Sequence, residues 1–150
     1  MNTTVVFRRM NLADVDGVLA VEQATFSVPW SRDAFVGEMN NELAMYIVAL
    51  EGGKIIGYAG AWVIVDEAHV TNVGIIAEWR GRGLGERLMR ELIAKVKARG
   101  ATAMTLETRV SNRVAQSLYG KLGFKSAGFR RKYYTDNQED ALIMWCENLP

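Results

Sequence analysis

Residues 80–85 read Arg-Gly-Arg-Gly-Leu-Gly, and this segment constrains the fold more than any other part of the 150-residue chain. A hydrophobic run, residues 69–76, leads into it, and an amphipathic segment, residues 84–99, leads out of it. Three glycines allow sharp turns and a close approach of the backbone to a ligand. The helix that follows offers unpaired N–H groups and the positive end of its dipole. Together with two arginines, this pattern predicts a strand, a loop and a helix that bind a phosphate or pyrophosphate.

Two familiar phosphate-binding motifs do not fit this loop. It lacks the Gly-Lys-Ser/Thr ending of a P-loop, which argues against nucleotide hydrolysis. It also differs from the dinucleotide fingerprint, because it follows a β-meander in mid-chain and the next strand does not end in a suitable acidic residue. A plain strand-to-helix turn remains the alternative, although three glycines between two arginines are more than a turn requires.

Charge and composition restrict the classes of function. The formal net charge is +1, so nothing favours nucleic acid or an anionic membrane as a partner, and any anion site must be local. Cys146 is the only cysteine, which excludes an internal disulfide and fits a reducing compartment. The most apolar run, residues 59–65, is too short to span a bilayer, and no signal segment opens the chain. We expect a soluble, cytoplasmic protein with one domain over residues 1–150.

Hydrophobic periodicity predicts seven strands and four helices in the order β-α-α-β-β-β-α-β-α-β-β, an α/β (α+β) fold with helices on the faces of a mixed sheet. Gly52-Gly53 predicts a primed hairpin turn, and Gly57 and Gly60 are possible bulge positions. Asn11 and Ser31 are predicted helix caps, as is Ser111 or Asn112. The predicted strands cover residues 4–10, 44–51, 54–65, 68–76, 103–109, 125–133 and 141–147, and the later helices cover residues 31–39, 84–99 and 112–122.

The loop at residues 80–85 matches the Arg/Gln-x-x-Gly-x-Gly/Ala motif, and nearly the whole chain resembles the GNAT superfamily of N-acetyltransferases. This resemblance implies a mostly antiparallel seven-stranded sheet flanked by about four helices, with two splayed parallel strands at its centre. It also implies acetyl-CoA as co-substrate and no metal. The implied coenzyme-binding residues are Val73, Gly74, Ile75, Arg80, Gly81, Arg82, Gly83, Leu84, Gly85, Asn112 and Tyr119.

Several stretches are similar, more narrowly, to the RimI family of ribosomal-protein-alanine N-acetyltransferases. They are Pro29-Trp30-Ser31, residues 106–112, 115–119 and 122–124, and Arg130-Arg131-Lys132-Tyr133-Tyr134 followed by Glu139-Asp140-Ala141. One departure is Ile76-Ala77-Glu78, where that family often has an Asp-Pro pair. The resemblance implies direct acetyl transfer, in a ternary complex, to the N-terminal alanine of a small-subunit ribosomal protein.

Acetyl transfer to an amine needs a group that takes the ammonium proton and a group that protonates the leaving thiolate. The resemblance assigns these roles to Glu107 and Tyr119. From position alone, Glu107 is equally well an exposed strand carboxylate paired with Arg109 or a neighbouring strand. From position alone, Tyr119 is better explained as a partly buried tyrosine whose hydroxyl bonds to a backbone group. His69, the only histidine, is a structural residue or a reserve candidate for the base.

The remaining candidates concern the acceptor and the coenzyme arm. Asn112 is seven residues before Tyr119 on the same helix face and either caps the helix, contacts the coenzyme, or does both. Trp30, Tyr133 and Tyr134 flank predicted loops and would line a channel for a peptide N-terminus, or they simply pack the loops. Glu139 and Asp140 would complement a basic peptide, or they are solvated charge. Cys146 reads as a core residue.

Three rival functions remain open at the level of sequence. The first is transfer to another acceptor, such as a lysine side chain, a polyamine or another small amine. The second is a non-catalytic acyl-CoA sensor, against which Glu107 and Tyr119 argue. The third is an interaction module on the ribosome, which the near-neutral charge makes less attractive. We expect a peptide substrate, no nucleic acid and no membrane as partners, and the sequence does not define an oligomeric state.

Overall fold

Seven strands form one continuous sheet in a computed structural model that describes residues 4–150. The strands are β1 (Val6–Arg9), β2 (Ala44–Glu51), β3 (Lys54–Ile64), β4 (Glu67–Ile75), β5 (Ala103–Arg109), β6 (Lys125–Arg130) and β7 (Ala141–Cys146). Their order across the sheet is β1-β2-β3-β4-β5-β7-β6, and every neighbouring pair is antiparallel except β4 and β5. The predicted mixed, mostly antiparallel seven-stranded sheet is therefore confirmed.

Four helices flank this sheet, and their caps lie where the sequence places them. Asn11 caps a short 3₁₀ turn (Leu12–Asp14) before the first helix, Ser31 caps the second and Asn112 caps the fourth. The longest helix has 15 residues, and no helix within residues 4–150 is long and apolar enough to cross a bilayer. The helices are α1 (Val15–Thr25), α2 (Arg32–Met39), α3 (Leu84–Ala98) and α4 (Arg113–Lys121).

Each face of the sheet has its own core. The apolar stripe of α3 packs on one face, and all six of its predicted members are buried: Leu84, Leu88, Met89, Leu92, Ile93 and Val96. Helices α1 and α2 cover the other face, where Phe35 lies edge-on to Tyr58 with ring centroids 5.8 Å apart. Burial of these two apolar surfaces is the main source of stability for a sheet of this kind.

The β2–β3 hairpin turns at Gly52 and Gly53, whose φ values of 56° and 82° define the predicted primed turn. Bulges occur beside both predicted positions, Gly57 and Gly60, but in neither case is the glycine itself the extra residue. Ala49 pairs with Gly57 and Leu50 with Ile55, which leaves Ile56 as the extra residue of β3.

The second bulge lies in β4. Gly60 pairs with Asn72 and Ala61 with Val70, so Thr71 is the extra residue. Gly60 itself is required for another reason, because the buried ring of Tyr46 lies directly over it. Both glycines thus mark close packing across the sheet rather than the bulged residues themselves.

The parallel pair β4–β5 is short. Its register covers only Glu67–Ala103, Ala68–Met104 and His69–Thr105. Beyond this point β4 follows β3 as far as Ile75, whereas β5 follows β7 as far as Arg109. The two strands diverge, as the resemblance implies, and a gap opens in the middle of the sheet.

We predict that Gly60→Ala destabilises the protein by about 3 kcal/mol, the upper end of the usual cost of overpacking. A Cβ atom at this position would lie 2.2 Å from Cε2 of Tyr46. That ring cannot move away easily, because it is buried and its hydroxyl is hydrogen-bonded to Thr71 at 2.7 Å. Urea unfolding measures the change.

Gly37→Ala is the matched control, because Gly37 lies within α2 and a Cβ atom there has no heavy atom within 4 Å. We expect this variant to gain up to about 1 kcal/mol from helix propensity. Equal effects of the two substitutions would contradict the packing argument.

Candidate active site

The glycine-rich loop has a backbone that L-residues with side chains rarely adopt. Gly81 and Gly83 have φ values of 75° and 80°, and Gly83 is the N-cap of α3. Gly85 has a different role, because a Cβ atom there would lie 3.2 Å from Leu118 and 3.4 Å from Ile75. The loop therefore brings the start of α3, the end of β4 and helix α4 together, with the unpaired N–H groups of α3 at its surface.

Both arginines of the loop are exposed, and each has a contact that orients it. The Nε of Arg80 donates to the carbonyl oxygen of Ile75 at 3.2 Å. The guanidinium of Arg82 lies 4.8 Å from the ring centroid of Trp79. These contacts use only part of each guanidinium, so the remaining N–H donors are available to an anion.

The gap between β4 and β5 has one wall formed by backbone and one that carries acid–base side chains. Residues 73–75 continue along β3, so the edge of β4 that faces the gap has lost its pairing with β5. Glu107 lies on the opposite wall, in β5, two residues before that strand ends at Arg109. A ligand entering the gap meets free backbone groups on one side and a carboxylate on the other.

Glu107 is the centre of a three-residue cluster. Its side chain is only 8% exposed, although the residue lies at the open end of the sheet. His69 on β4 bonds its Oε2 at 2.8 Å, and the Nε of Arg130 on β6 donates to its Oε1 at 3.3 Å. The sequence alternative of a pair with Arg109 is therefore wrong, while pairing with a neighbouring strand is correct and involves His69 and Arg130.

This cluster lowers the pKa of Glu107 and raises the pKa of His69. Burial acts to raise the pKa of Glu107, but the bond to His69 and the charges of His69 and Arg130 outweigh it and hold this pKa below the ordinary value. The same hydrogen bond to Glu107, opposed by burial, raises the pKa of His69. Glu107 is therefore ionised at neutral pH, and His69 and Arg130 together offset the effect of burial on its pKa.

Tyr119 and Asn112 both lie in the α4 region, as the sequence indicates. The Tyr119 ring packs against Phe124 with centroids 5.8 Å apart, and burial raises the pKa of its hydroxyl to about 12. No hydrogen bond between residues 4–150 engages this hydroxyl, so it remains protonated and available. Asn112 Oδ1 accepts from the N–H of Ala115 at 3.1 Å, which establishes the capping role.

The three candidate acceptor-binding aromatics lie in two loops. Trp30 is partly buried in the α1–α2 loop, with its ring centroid 5.4 Å from that of Phe35. Tyr133 and Tyr134, in the β6–β7 loop, contact each other edge-on at 5.1 Å, and Arg109 lies 4.0 Å from the Tyr134 centroid. Ser27 Oγ donates to Asp136 at 2.6 Å, which links the two loops directly.

Glu139 and Asp140 do not face outward toward a substrate. Glu139 accepts from Arg109 at 3.3 Å and from the N–H of Ser111 at 2.8 Å. Asp140 accepts from the N–H of Lys132 at 2.9 Å. Both carboxylates hold the β6–β7 loop in place, so the expectation that they complement a basic peptide is not supported by their contacts.

A buried polar network beneath the gap was missed at the level of sequence. Glu22 of α1 is 2% exposed and is hydrogen-bonded by Tyr58 of β3 and Asn72 of β4. These residues are separated by 36 and 50 positions from Glu22, so no local motif connects them. Their polar character within apolar strands is the only signal, and it does not identify the partners.

Two other chemistries lack a suitable group in the described structure. Within residues 4–150, no three His, Cys, Asp or Glu side chains are grouped so that they could hold a metal ion. Cys146 is 3% exposed in β7, and burial raises the pKa of its thiol. The thiol is therefore a core group, as predicted, and not an exposed nucleophile.

Comparison with known proteins agrees with this geometry. The profile of the Acetyltransferase (GNAT) family matches residues 15–124. The [ribosomal protein bS18]-alanine N-acetyltransferase of Escherichia coli K12 is 34% identical over 137 residues, which cover 90% of this chain and 92% of that protein. A Bacillus subtilis strain 168 relative, whose name assigns the same activity provisionally, is 44% identical over 97% of both chains.

A solved structure shares the whole architecture. The crystal structure of the ribosomal-protein-S18-alanine N-acetyltransferase from Escherichia coli superimposes with a TM-score of 0.88 and 33% sequence identity. The match covers 95% of this chain and 92% of that one. The two proteins therefore share their overall fold.

We predict that the His69–Glu107 pair contributes stability within a defined pH window. The contribution of Glu107 is present above its ordinary pKa of 4.5 and is lost as pH falls through its lowered value. That of His69 is full below 6.5 and is lost as pH rises through its raised value. The destabilisation caused by His69→Gln should thus shrink between pH 6 and 9, by at most about 1 kcal/mol because solvent screens the pair.

Urea unfolding at pH 5.5, 7 and 9 measures this difference, with Arg130→Gln as the control. Arg130 keeps its charge over this range, so the cost of its loss should vary less with pH. A cost of His69→Gln that stays constant from pH 5.5 to 9 would show that the pair does not titrate as described.

Proposed function

Because the chain belongs to the acetyltransferase (GNAT) family, we propose that it transfers the acetyl group of acetyl-CoA to the N-terminal α-amine of a protein. The proposed acceptor is the N-terminal alanine of a small-subunit ribosomal protein, in the cytoplasm, as the names of the E. coli and B. subtilis relatives suggest. The observation that carries the proposal is the gap after His69, with the glycine loop at one end and a buried carboxylate on its wall.

The loop and the strand before it have the features that the coenzyme requires. The N–H groups at the start of α3, with Arg80 and Arg82, suit the pyrophosphate. The free edge of residues 73–75 can pair with the amide groups of the pantetheine arm, as a strand pairs with a neighbour. A donor on this edge would also polarise the thioester carbonyl as negative charge develops on its oxygen. Asn112 can contribute its side-chain N–H₂ while its oxygen caps α4.

Glu107 is the proposed base. An α-ammonium group titrates near pH 8, well below a lysine, so a carboxylate can remove its proton directly or through a water. The neutral nitrogen then attacks the thioester carbon and forms the C–N bond. The nitrogen gives up its second proton to water as the C–S bond breaks, which leaves a neutral amide. Direct attack needs no enzyme nucleophile, which agrees with the burial of Cys146.

Tyr119 is the proposed acid. Its hydroxyl, whose pKa burial raises to about 12, carries a proton over the whole physiological range and can donate it to the departing thiolate. Trp30, Tyr133 and Tyr134 are proposed to flank the acceptor peptide, because the loops that carry them are joined through Ser27 and Asp136.

Steady-state rates on three acceptors test the acceptor class. They are a lysine-containing peptide that begins with alanine, the same peptide with a blocked N-terminus, and spermidine. We expect acetylation of the first alone, at its α-amine, with the position determined by mass spectrometry. Transfer only to the blocked peptide or to spermidine would favour another acceptor, and binding of acetyl-CoA without transfer to any amine would favour a sensor.

We predict that Tyr119→Phe and Glu107→Gln each lower kcat by about 100-fold or more, the usual contribution of a general acid or base. Neither substitution should change acetyl-CoA affinity appreciably, because both groups act on the reacting atoms. Steady-state kinetics and calorimetric titration with acetyl-CoA separate the two effects. Unchanged kcat in both variants would remove the assignment, and a parallel loss of affinity would indicate a binding role.

A further inference from the structure

Glu22 is a buried carboxylate that the proposed chemistry does not use. It lies in the last part of α1 and is 2% exposed. An isolated charge is costly to bury, and a buried ionic group is often no more stabilising than a well-packed apolar residue of the same size. Its presence therefore calls for an explanation beyond stability.

The two carboxylate oxygens of Glu22 face different elements. Oε2 accepts from the backbone N–H of Trp30 at 2.9 Å. Oε1 accepts from the hydroxyl of Tyr58 and from Nδ2 of Asn72, the latter at 3.4 Å. One side chain thus joins α1, the α1–α2 loop, β3 and β4.

Its contact with β4 falls at the bulge. Asn72 follows the extra residue Thr71, and its Nδ2 also donates to the Tyr58 hydroxyl at 2.7 Å. Thr71 is bonded in turn to the hydroxyl of Tyr46 at 2.7 Å. The bulge is therefore fixed from below by this network, immediately before residues 73–75 form the edge of the gap.

The hydrogen bond from the α1–α2 loop to Glu22 takes the place of a backbone hydrogen bond. Residues 26–30 lie between α1 and the Ser31 cap of α2, where neither helix nor strand pairing engages the N–H of Trp30. Glu22 supplies the acceptor for this N–H group. The hydrogen bond between Ser27 and Asp136 anchors the loop at a second point. The position of Trp30 relative to the β4 edge is thus set mainly by one carboxylate.

We propose that Glu22 is a positioning residue for the acceptor peptide. It holds the α1–α2 loop at a fixed distance from the β4 edge. The acceptor peptide beside the loop is thereby aligned with the acetyl group beside that edge. This inference rests on the proposed function, because it takes Trp30 to flank the acceptor. Loss of the carboxylate should weaken peptide binding and leave the coenzyme site at residues 80–85 intact.

Glu22→Met tests this role, since methionine has a similar length and helix propensity but no acceptor for the Trp30 N–H. We expect the KM for the alanine peptide to rise about tenfold, the effect of one lost hydrogen bond to a charged group. The KM for acetyl-CoA and kcat at saturating peptide should stay within about twofold of wild type, because the Tyr58–Asn72 and Tyr46–Thr71 hydrogen bonds still hold the β4 bulge.

Glu38→Met is the matched control. Glu38 is also a buried carboxylate on this face of the sheet, and its Oε2 accepts from the indole N–H of Trp62 at 2.6 Å. It has no hydrogen bond to the α1–α2 loop among residues 4–150, and it is linked to the β4 bulge only indirectly, through Tyr46. We expect a comparable loss of thermal stability in both variants and an unchanged peptide KM in Glu38→Met.

If the Glu22→Met variant does not fold, Glu22→Gln tests the positioning role instead. Its single carbonyl oxygen must serve the partners of two carboxylate oxygens, so we expect a peptide KM raised about threefold. An unchanged peptide KM in the folded variant, or equal shifts for peptide and acetyl-CoA, would overturn the positioning role alone. A wild-type protein that is inactive on the alanine peptide would overturn the proposed function, and this inference with it.

Discussion

The early end of the β4–β5 pairing is the constraint on which the rest of the structure depends. A strand in the middle of a sheet normally satisfies its backbone groups on both sides, and one that does not offers an edge for another chain to pair with. Here that edge lies inside the sheet, because β4 stays on β3 and β5 stays on β7 after His69. A further β-strand therefore cannot easily pair with these backbone groups, whereas a narrow ligand can reach them. A pantetheine arm is narrow and carries amides at strand-like spacing, which is why the family resemblance and the geometry lead to the same coenzyme.

Two buried carboxylates lie on opposite sides of this gap, and their environments differ in a way that fits different tasks. Glu107 is bonded by two groups that carry or can carry positive charge, and it lies beside a partly exposed histidine through which protons can exchange with water. Glu22 is bonded by neutral donors only and is sealed from solvent. The first environment keeps a carboxylate ionised beside a histidine that can exchange protons with water, and the second favours a fixed geometry. The two buried carboxyl groups are thus proposed to have different roles in the same chain.

Much of the fold follows from local patterns. The Gly52-Gly53 turn, the apolar stripe of α3 and the caps Asn11, Ser31 and Asn112 each depend on residues close in sequence, so they can be read directly. The insertion of β7 between β5 and β6 cannot, because nothing local specifies which strand pairs with which. The same limit applies to the site. The glycine loop is a contiguous motif, whereas the partners of Glu107 lie 38 and 23 positions away, and alternation of polar residues in a strand does not show which of them meet.

The position of β7 also governs the order in which the site can form during synthesis. Strands β2 to β4 and helix α3 are joined by hairpins and one short connection, so the backbone wall and the glycine loop can assemble as soon as that part of the chain is available. The wall that carries Glu107 needs residues 141–146 as its other neighbour, after two further elements have been made. A partly made chain can thus complete the backbone edge and the glycine loop well before the wall that carries Glu107. The proposed coenzyme site can therefore form before the proposed base is in place.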